Sequence, residues 1–266
     1  MKTLVVIPAR FASTRYPGKP LVALKGATGE SKTLIRRSWD AAQQANRPDR
    51  VVVATDDDRI VKEAETFGAE VVRTSSDCRN GTERCAEALT NLGEDFDIVV
   101  NLQGDAPLTP SWFVDNLVDG LNSDPSKMVA TPVLRCDGRA LNGFLEDRRA
   151  GRVGGTTAVF GNNQQALYFS KEVIPFVNDT FQDDQETPVF HHVGVYAYRP
   201  QALRAYMEWA PGTAEELEGL EQLRFLENDC PVQCVEVDGK GRAFWELNNP
   251  EDVPRIERIL AELGTP

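Results

Sequence analysis

The chain lacks several features that would settle its class at once. It has no apolar run close to the ~20 residues that a membrane-spanning helix needs. The opening MKTLVVIPAR reaches Pro8 and Arg10 before its apolar run is long enough for a secretory signal core. Basic residues are outnumbered: 29 Lys and Arg stand against 41 Asp and Glu, a net charge of −12. That balance argues against a broad nucleic-acid or anionic-membrane surface. It leaves room for a local basic pocket that takes a small anion. The 5 cysteines (Cys78, Cys85, Cys136, Cys230, Cys234) are odd in number, and none forms a CxxC pair. Neither a disulfide framework nor a zinc ribbon is indicated, and a reducing cytoplasm is the expected location. The 2 histidines, His191 and His192, are adjacent. Neighbours on a strand point to opposite faces, so they make a poor joint metal site.

What is present is an alternation of β-branched runs with helical periods. Residues 3–8 (TLVVIP), 50–54, 70–73 and 96–102 read as strands. Residues 33–46, 58–67, 83–91 and a stretch from Pro110 read as helices between and after them. Buried runs separated by helices indicate βαβ units and a parallel sheet covered on both faces. The later part is less regular. Residues 128–134, 165–169, 192–198 and 231–237 read as strands, and 201–209, 214–225 and 250–263 as helices. Residues 138–155, polar and rich in arginine, read as an exposed connection. With 266 residues, a single α/β domain with a mixed-sheet insertion over residues 128–200 fits better than two independent domains.

Directly after the first strand comes Pro8-Ala9-Arg10-Phe11-Ala12-Ser13-Thr14-Arg15-Tyr16-Pro17-Gly18-Lys19. In an open α/β sheet, ligands bind beyond the carboxyl ends of the strands. A loop there offers backbone N–H groups to an anion, and small residues allow close approach. Arg10, Arg15 and Lys19 add three cations, and arginine suits bidentate contact with phosphate oxygens. Residues 26–33 (GATGESKT) nearly spell a second phosphate loop, but Ser31 stands where glycine is required, and no strand directly precedes them. They read as a loop and the start of a helix. Asp105, after the strand ending at Leu102, suits magnesium and equally a turn after glycine.

The segment IPARFASTRYPGKPL closely resembles the signature of the cytidylyltransferases that activate 3-deoxy-manno-octulosonate (Kdo). The resemblance continues, in the family's order, through VATDDDRI, NGTERCAEA, VNLQGDAPL, ALYFSKEVIPF, HHVGVYAY and LEQLRFLE. It implies a Rossmann-like α/β nucleotidyltransferase fold and a homodimer formed through the inserted region. It implies that the anomeric hydroxyl of Kdo attacks the α-phosphorus of CTP with magnesium assisting, for lipopolysaccharide or capsule assembly. By resemblance, Arg10 and Lys19 hold the triphosphate in a loop that includes Pro8, Ala9 and Ser13. Ala54, Thr55, Asp56, Gly81 and Thr82 lie near the nucleotide, and Asp105 binds the metal. Arg15 meets a phosphate or the sugar carboxylate. Gln103, Lys171, His192, Tyr196, Glu221 and Gln222 line the sugar site.

Three positions depart from the family's usual pattern. Asn248 stands where a second metal-binding aspartate is usual, Lys171 where an arginine is usual, and Thr157 where a lysine is usual. An amide oxygen coordinates magnesium without bringing negative charge, and lysine lacks arginine's planar fork. Cytidylyl transfer is expected to be retained, to Kdo or to another 2-keto-3-deoxy sugar acid such as 8-amino-Kdo or a nonulosonate. A non-catalytic nucleotide-binding regulator is the alternative of another class.

Overall fold

A computed structural model describes residues 1–12, 16–104, 107–153, 155–242, 245, 247 and 249–265. The chain divides into two units, Met1–Val118 with Gly239–Pro266, and Asp119–Asp238.

The first unit begins with β1 (Thr3–Pro8), whose Leu4, Val5, Val6 and Ile7 are all fully buried. Successive side chains on a strand point to opposite faces, so both faces of β1 are covered. A short hairpin follows, β2 (Ala23–Lys25) paired antiparallel with β3 (Ser31–Thr33). The expected loop and helix start at 26–33 is corrected here. Only residues 26–30 are turn, with Gly29 at a φ of 84° and the Gly26 amide donating to the Glu30 carbonyl at 2.8 Å. The rest is β3, and helix begins only at α1 (Leu34–Gln43).

Then come β4 (Arg50–Thr55), α2 (Asp58–Thr66), β5 (Val71–Arg73), α3 (Gly81–Leu92), β6 (Ile98–Leu102) and α4 (Ser111–Asn122). The strands lie in the order β5-β4-β1-β6, each neighbouring pair parallel. This is the α/β arrangement expected from the alternating pattern.

In the second unit, β7 (Val129–Asp137) is followed by α5 (Gly138–Arg149), β8 (Thr156–Phe160), β9 (Ala166–Ser170), β10 (Glu186–His192) and β11 (Val195–Tyr198). Next are α6 (Pro200–Glu208), α7 (Thr213–Glu218), α8 (Leu223–Glu227) and β12 (Val232–Glu236). Strand β7 pairs antiparallel with β10 and β11, and parallel with β12. The series β10-β8-β9 continues antiparallel.

Three expectations are corrected in this unit. Residues 138–149 are a helix rather than an exposed connection. The Asp137 side chain caps it, accepting from the Ala140 amide at 2.7 Å. Leu141, Phe144 and Leu145 then pack on Cys136 and Val189 as one apolar stripe. The expected strand 192–198 is two strands, interrupted at residues 193–194, where Val193 donates its amide to the Pro132 carbonyl. The expected helix 214–225 is also two, because Gly219 takes a left-handed φ of 60° that ends α7.

The chain closes with a 3-10 turn (Pro250–Asp252) and α9 (Val253–Glu262). Ile256, Ile259 and Leu260 of α9 share a core with Leu24, Leu34, Leu108 and Leu247 of the first unit. No described helix is long and apolar enough to cross a membrane.

Gly138 shows how tightly α5 is seated. A Cβ there would overlap the backbone carbonyl of Gln182. Backbone cannot swing aside as a side chain does, so Gly138→Ala is expected to lower stability by about 1–3 kcal/mol. Urea unfolding of the variant beside the parent measures this, and an unchanged midpoint would contradict it.

Candidate active site

In a parallel sheet every strand delivers its following loop to the same edge. Pro8 pairs in register with Ala54 at the ends of β1 and β4, and the Ala9 amide donates to the Ala54 carbonyl at 2.9 Å. Gly104, just beyond β6, sits where a Cβ would be 3.3 Å from the Pro8 carbonyl oxygen. Gly81 sits where a Cβ would be 3.0 Å from Asn101 Nδ2 and 3.4 Å from Gln103 Nε2. The first unit therefore gathers Pro8, Ala9, Ala54, Gly81 and Gln103 at one edge, and small residues make the gathering possible.

The loop after β1 is folded back on itself. Gly18, at a φ of 73°, donates its amide to the Phe11 carbonyl at 2.9 Å, and a Cβ on it would meet the Phe11 ring. The other partner of that ring is Arg59, whose guanidinium lies 3.2 Å from the ring centroid and is held by the Asp57 carboxylate at 2.6 and 2.9 Å. Lys19 opens the 3-10 turn Lys19–Leu21. Arg10 is exposed and reaches the Arg79 carbonyl through Nη1 at 3.4 Å. Ser13 and Arg15, also expected here, lie outside the described residues.

The acidic run after β4 divides its roles. Asp57 caps α2, accepting from the Arg59 amide. Asp56 pairs with Arg84 of α3 at 3.1 Å, and Arg84 is buried and also donates to Thr74 Oγ1 at 2.6 Å. Ala54 and Thr55 are fully buried, as is Thr82 in the first turn of α3. Arg84 lies within the motif NGTERCAEA, where sequence alone points to no role for it. Its signal in the sequence was a cation on the apolar face of a helix, which calls for a buried acid.

In the second unit, Lys171, His192, Tyr196, Glu221 and Gln222 lie on connected elements. The His192 and Tyr196 rings are 5.6 Å apart between centroids, despite the interruption between β10 and β11. The Tyr196 hydroxyl donates to Gln222 Oε1 at 3.0 Å. Gln222 is 1% exposed, and its Nε2 has no hydrogen-bond partner among the described residues. A buried donor left in that state suits an arriving oxygen acceptor. Lys171 is anchored by its amide to Glu218 Oε2 at 2.9 Å, and its Nζ stands 3.0 Å from where a Cβ on Gly219 would be. That places it beside the turn leading to Glu221.

The ring of His192 has a defined tautomer. Thr131 Oγ1 lies 2.9 Å from His192 Nε2 and 2.8 Å from the Val195 carbonyl. The hydroxyl has one proton, and only the carbonyl must receive it, so Nε2–H donates to Thr131 and Nδ1 is left as the acceptor. Burial, helped by neighbouring His191, pushes the His192 pKa down to about 3.

Asp105 and Asn248, the two expected metal ligands, lie outside the described residues. Among those described, no group of three or more His, Cys, Asp or Glu side chains is placed to hold a metal ion. All 5 cysteines are free thiols.

A parallel α/β sheet that ends in a cationic, glycine-closed loop is suited to holding a nucleotide's phosphates. Residues 4–233 match the cytidylyltransferase family. The 3-deoxy-manno-octulosonate cytidylyltransferase of Maricaulis maris (strain MCS10) is 43% identical over 264 residues, 99% of each chain. The enzyme of that name from Bacteroides thetaiotaomicron is 39% identical over 98% of each chain. A solved CMP:2-keto-3-deoxy-manno-octonic acid synthetase complexed with CTP superposes with a TM-score of 0.82 at 30% identity, covering 99% of this chain and 100% of the other. The chain belongs to the cytidylyltransferases and, within them, to the 3-deoxy-manno-octulosonate cytidylyltransferase family.

The state of His192 sets a pH dependence. Its folded pKa of about 3 lies below the ordinary 6.5, so between these values the unfolded chain takes up a proton that the folded chain refuses. Stability from this group is present above the ordinary value and is lost as pH falls towards 3. Each pH unit inside that window costs about 1.4 kcal/mol. His192→Asn, compared with the parent by urea unfolding at about pH 7 and about pH 5, is expected to lose less stability on acidification. Equal losses would refute the assignment.

Proposed function

We propose that this chain transfers CMP from CTP to the anomeric hydroxyl of Kdo and releases pyrophosphate. The observation that carries this reading is the loop of residues 8–19, closed by Gly18 on Phe11 at the edge where β1, β4 and β6 end. The nucleotide is held by the first unit, with Arg10 and Lys19 on the triphosphate and Ser13 within the same loop. Ala54, Thr55, Asp56, Gly81 and Thr82 lie about the base and ribose. The sugar acid is held by Lys171, His192, Tyr196, Glu221 and Gln222 of the second unit.

In the transfer, the anomeric oxygen forms a bond to the α-phosphorus and gives up its proton, which the departing pyrophosphate or water takes up. The bond from that phosphorus to the α,β-bridging oxygen breaks, and pyrophosphate leaves with the electron pair. Attack at phosphorus needs positioning and charge neutralisation more than covalent help. Arg10 and Lys19 supply the neutralisation where negative charge grows. Asp105 and Asn248 would hold Mg2+. Their oxygen donors suit a hard cation that completes its shell with substrate phosphate oxygens and water. Bound there, it would add charge neutralisation at the phosphates. Because Asn248 brings no charge, a weakened metal affinity is expected.

The surroundings proposed are a reducing cytoplasm and a pathway to lipopolysaccharide or capsule, with the chain working as a homodimer. Exposed apolar side chains of the second unit support the dimer. Leu167 lies on the edge strand β9, and Phe176 and Leu217 are 88% and 83% exposed. Side chains this large and this exposed are the ones a partner would cover. Sedimentation of Phe176→Glu is expected to show a shift towards monomer. A parent that is itself monomeric would refute the dimer.

The reaction is tested by following pyrophosphate with CTP, Mg2+ and, in turn, Kdo, 8-amino-Kdo and a nonulosonic acid. Turnover is expected with Kdo, and Lys19→Ala is expected to lower kcat by about 10^2- to 10^3-fold, the usual loss for a donor to developing charge. Turnover with another acid alone would move the specificity, with Lys171 and Thr157 as the first residues to exchange. Calorimetric CTP binding without pyrophosphate release from any acid would leave a nucleotide-binding regulator in its place.

A further inference from the structure

The motif LEQLRFLE contains more than the two residues assigned to the sugar acid. Arg224 is 1% exposed, yet it carries a full positive charge. It is neutralised by Glu215 of α7 in a two-pronged contact, Nε to Oε2 and Nη2 to Oε1, each 2.6 Å. The same guanidinium lies over the Tyr206 ring of α6, 4.0 Å from its centroid. The Tyr206 hydroxyl then donates to the Glu221 carbonyl at 3.1 Å, with Glu215 Oε1 a longer alternative at 3.4 Å.

The last acid of the motif closes the arrangement at its other end. Glu227, at the end of α8, accepts from the amides of Ala214 and Glu215 at 2.8 and 3.1 Å and so caps the start of α7. Gly212 is the residue that lets it approach, since a Cβ there would overlap the Glu227 carboxylate. Helices α7 and α8 are therefore joined by one carboxylate at the start of α7 and by an ion pair across their span. Between them the chain turns at Gly219, whose amide donates to the Glu215 carbonyl at 2.7 Å. Glu221 and Gln222 occupy that turn.

We propose that Glu215, Arg224 and Tyr206 are positioning residues that fix the turn carrying Glu221 and Gln222 for the sugar acid, a role that rests on the functional reading above. Burial decides between this and a merely stabilising role. A charged pair costs so much to desolvate that apolar residues of the same volume hold a fold together as well or better. What the pair adds is geometry, because a bidentate fork has one orientation. The hydroxyl of Tyr206 carries that geometry to the backbone of Glu221 itself. The Arg224 amide donates to the same carbonyl at 3.4 Å, so the turn is held from both sides of one atom.

Tyr206→Phe isolates the effect, since it keeps the ring and the packing and removes only the hydroxyl. The KM for the sugar acid is expected to rise about five-fold, one hydrogen bond of about 1 kcal/mol, with the KM for CTP unchanged. Arg224→Lys keeps the charge and loses the fork, and a larger rise in the same constant is expected. If Arg224→Lys fails to fold, Tyr206→Phe still decides. An unchanged sugar KM in Tyr206→Phe, or an equal rise in both KM values, overturns the proposal. Amide hydrogen exchange at Leu223 and Arg224 is followed in parallel and is expected to quicken in Tyr206→Phe; unchanged exchange overturns the proposal as well. That readout needs no turnover, so it separates a failure of the frame from a parent enzyme that uses no sugar acid.

Discussion

The structure of the first unit depends on one constraint, the double pairing of β1. This strand is hydrogen-bonded in parallel to β4 on one side and β6 on the other, with its four central side chains out of water. Parallel strands have no common turn to share, so each must be followed by a crossover that covers a face. All of them then end at the same edge. The loop after Pro8, the acidic run after Thr55 and the segment after Leu102 meet there because the strands leave them no other place. Glycine at 81 and 104 does the rest, since any side chain would meet Asn101 or the Pro8 carbonyl. The convergence of these loops follows from backbone direction, and the small residues only let it close.

Around that edge, and within the second unit, polar groups are buried in matched sets. Arg84 has Asp56 and Thr74, Arg224 has Glu215, and the His192 ring has Thr131. An unpaired charge in such surroundings costs several kcal/mol, so each set admits few arrangements. In each case one member is a residue assigned to substrate, or is one step from such a residue in the chain or in a hydrogen-bond network. The pairs thus convert burial into direction. Asp56 cannot turn freely while it balances Arg84, and His192 cannot exchange its tautomer while Thr131 gives its proton to Val195. Direction is what transfer at phosphorus requires, where little covalent work falls to the protein.

The parallel unit was legible in the sequence because its periods are clean. TLVVI and IVVNL are buried on both faces and read as such, and α2 and α3 start at Asp57 and Asn80, whose side chains cap them. The second unit was harder for identifiable reasons. Arginines at 139, 148, 149 and 152 concealed the stripe Leu141, Phe144, Leu145, so α5 looked like a loop. A single glycine, Gly219, divides what the 3.6-residue period joins, and its left-handed φ is not written in that period. The interruption at 193–194 preserved the meeting of His192 and Tyr196 while breaking the strand that was expected to bring them together. Arg10 and Gln103 were visible as types at strand ends, and Gln222 only through the family motif, on a stretch that read as helix. The partners of Asp56 and His192, which are Arg84 and Thr131, were not, because nothing local couples residue 56 to 84 or 131 to 192.

The departures from the family's usual pattern become partly intelligible in these terms. Thr157 is buried on β8, where its hydroxyl donates to the Glu172 carbonyl at 2.7 Å and accepts from the Ile174 amide at 3.1 Å. It fixes the backbone on the far side of Lys171. On the near side, Ser170 and the Lys171 amide are both held by the Glu218 carboxylate, at 2.6 and 2.9 Å. Thr157 and Lys171 therefore border the same short stretch of backbone. A long cation at 157 would have to find other company, and the strap from 172 to 174 would lose both bonds that tie it to β8. With threonine there, the strap is held by its own backbone, and the charge of this corner rests on Lys171 beside Gly219. Where the family's usual pattern has two cations, at 157 and 171, this chain has one. That is a difference of charge and reach at the residues expected to meet the sugar acid.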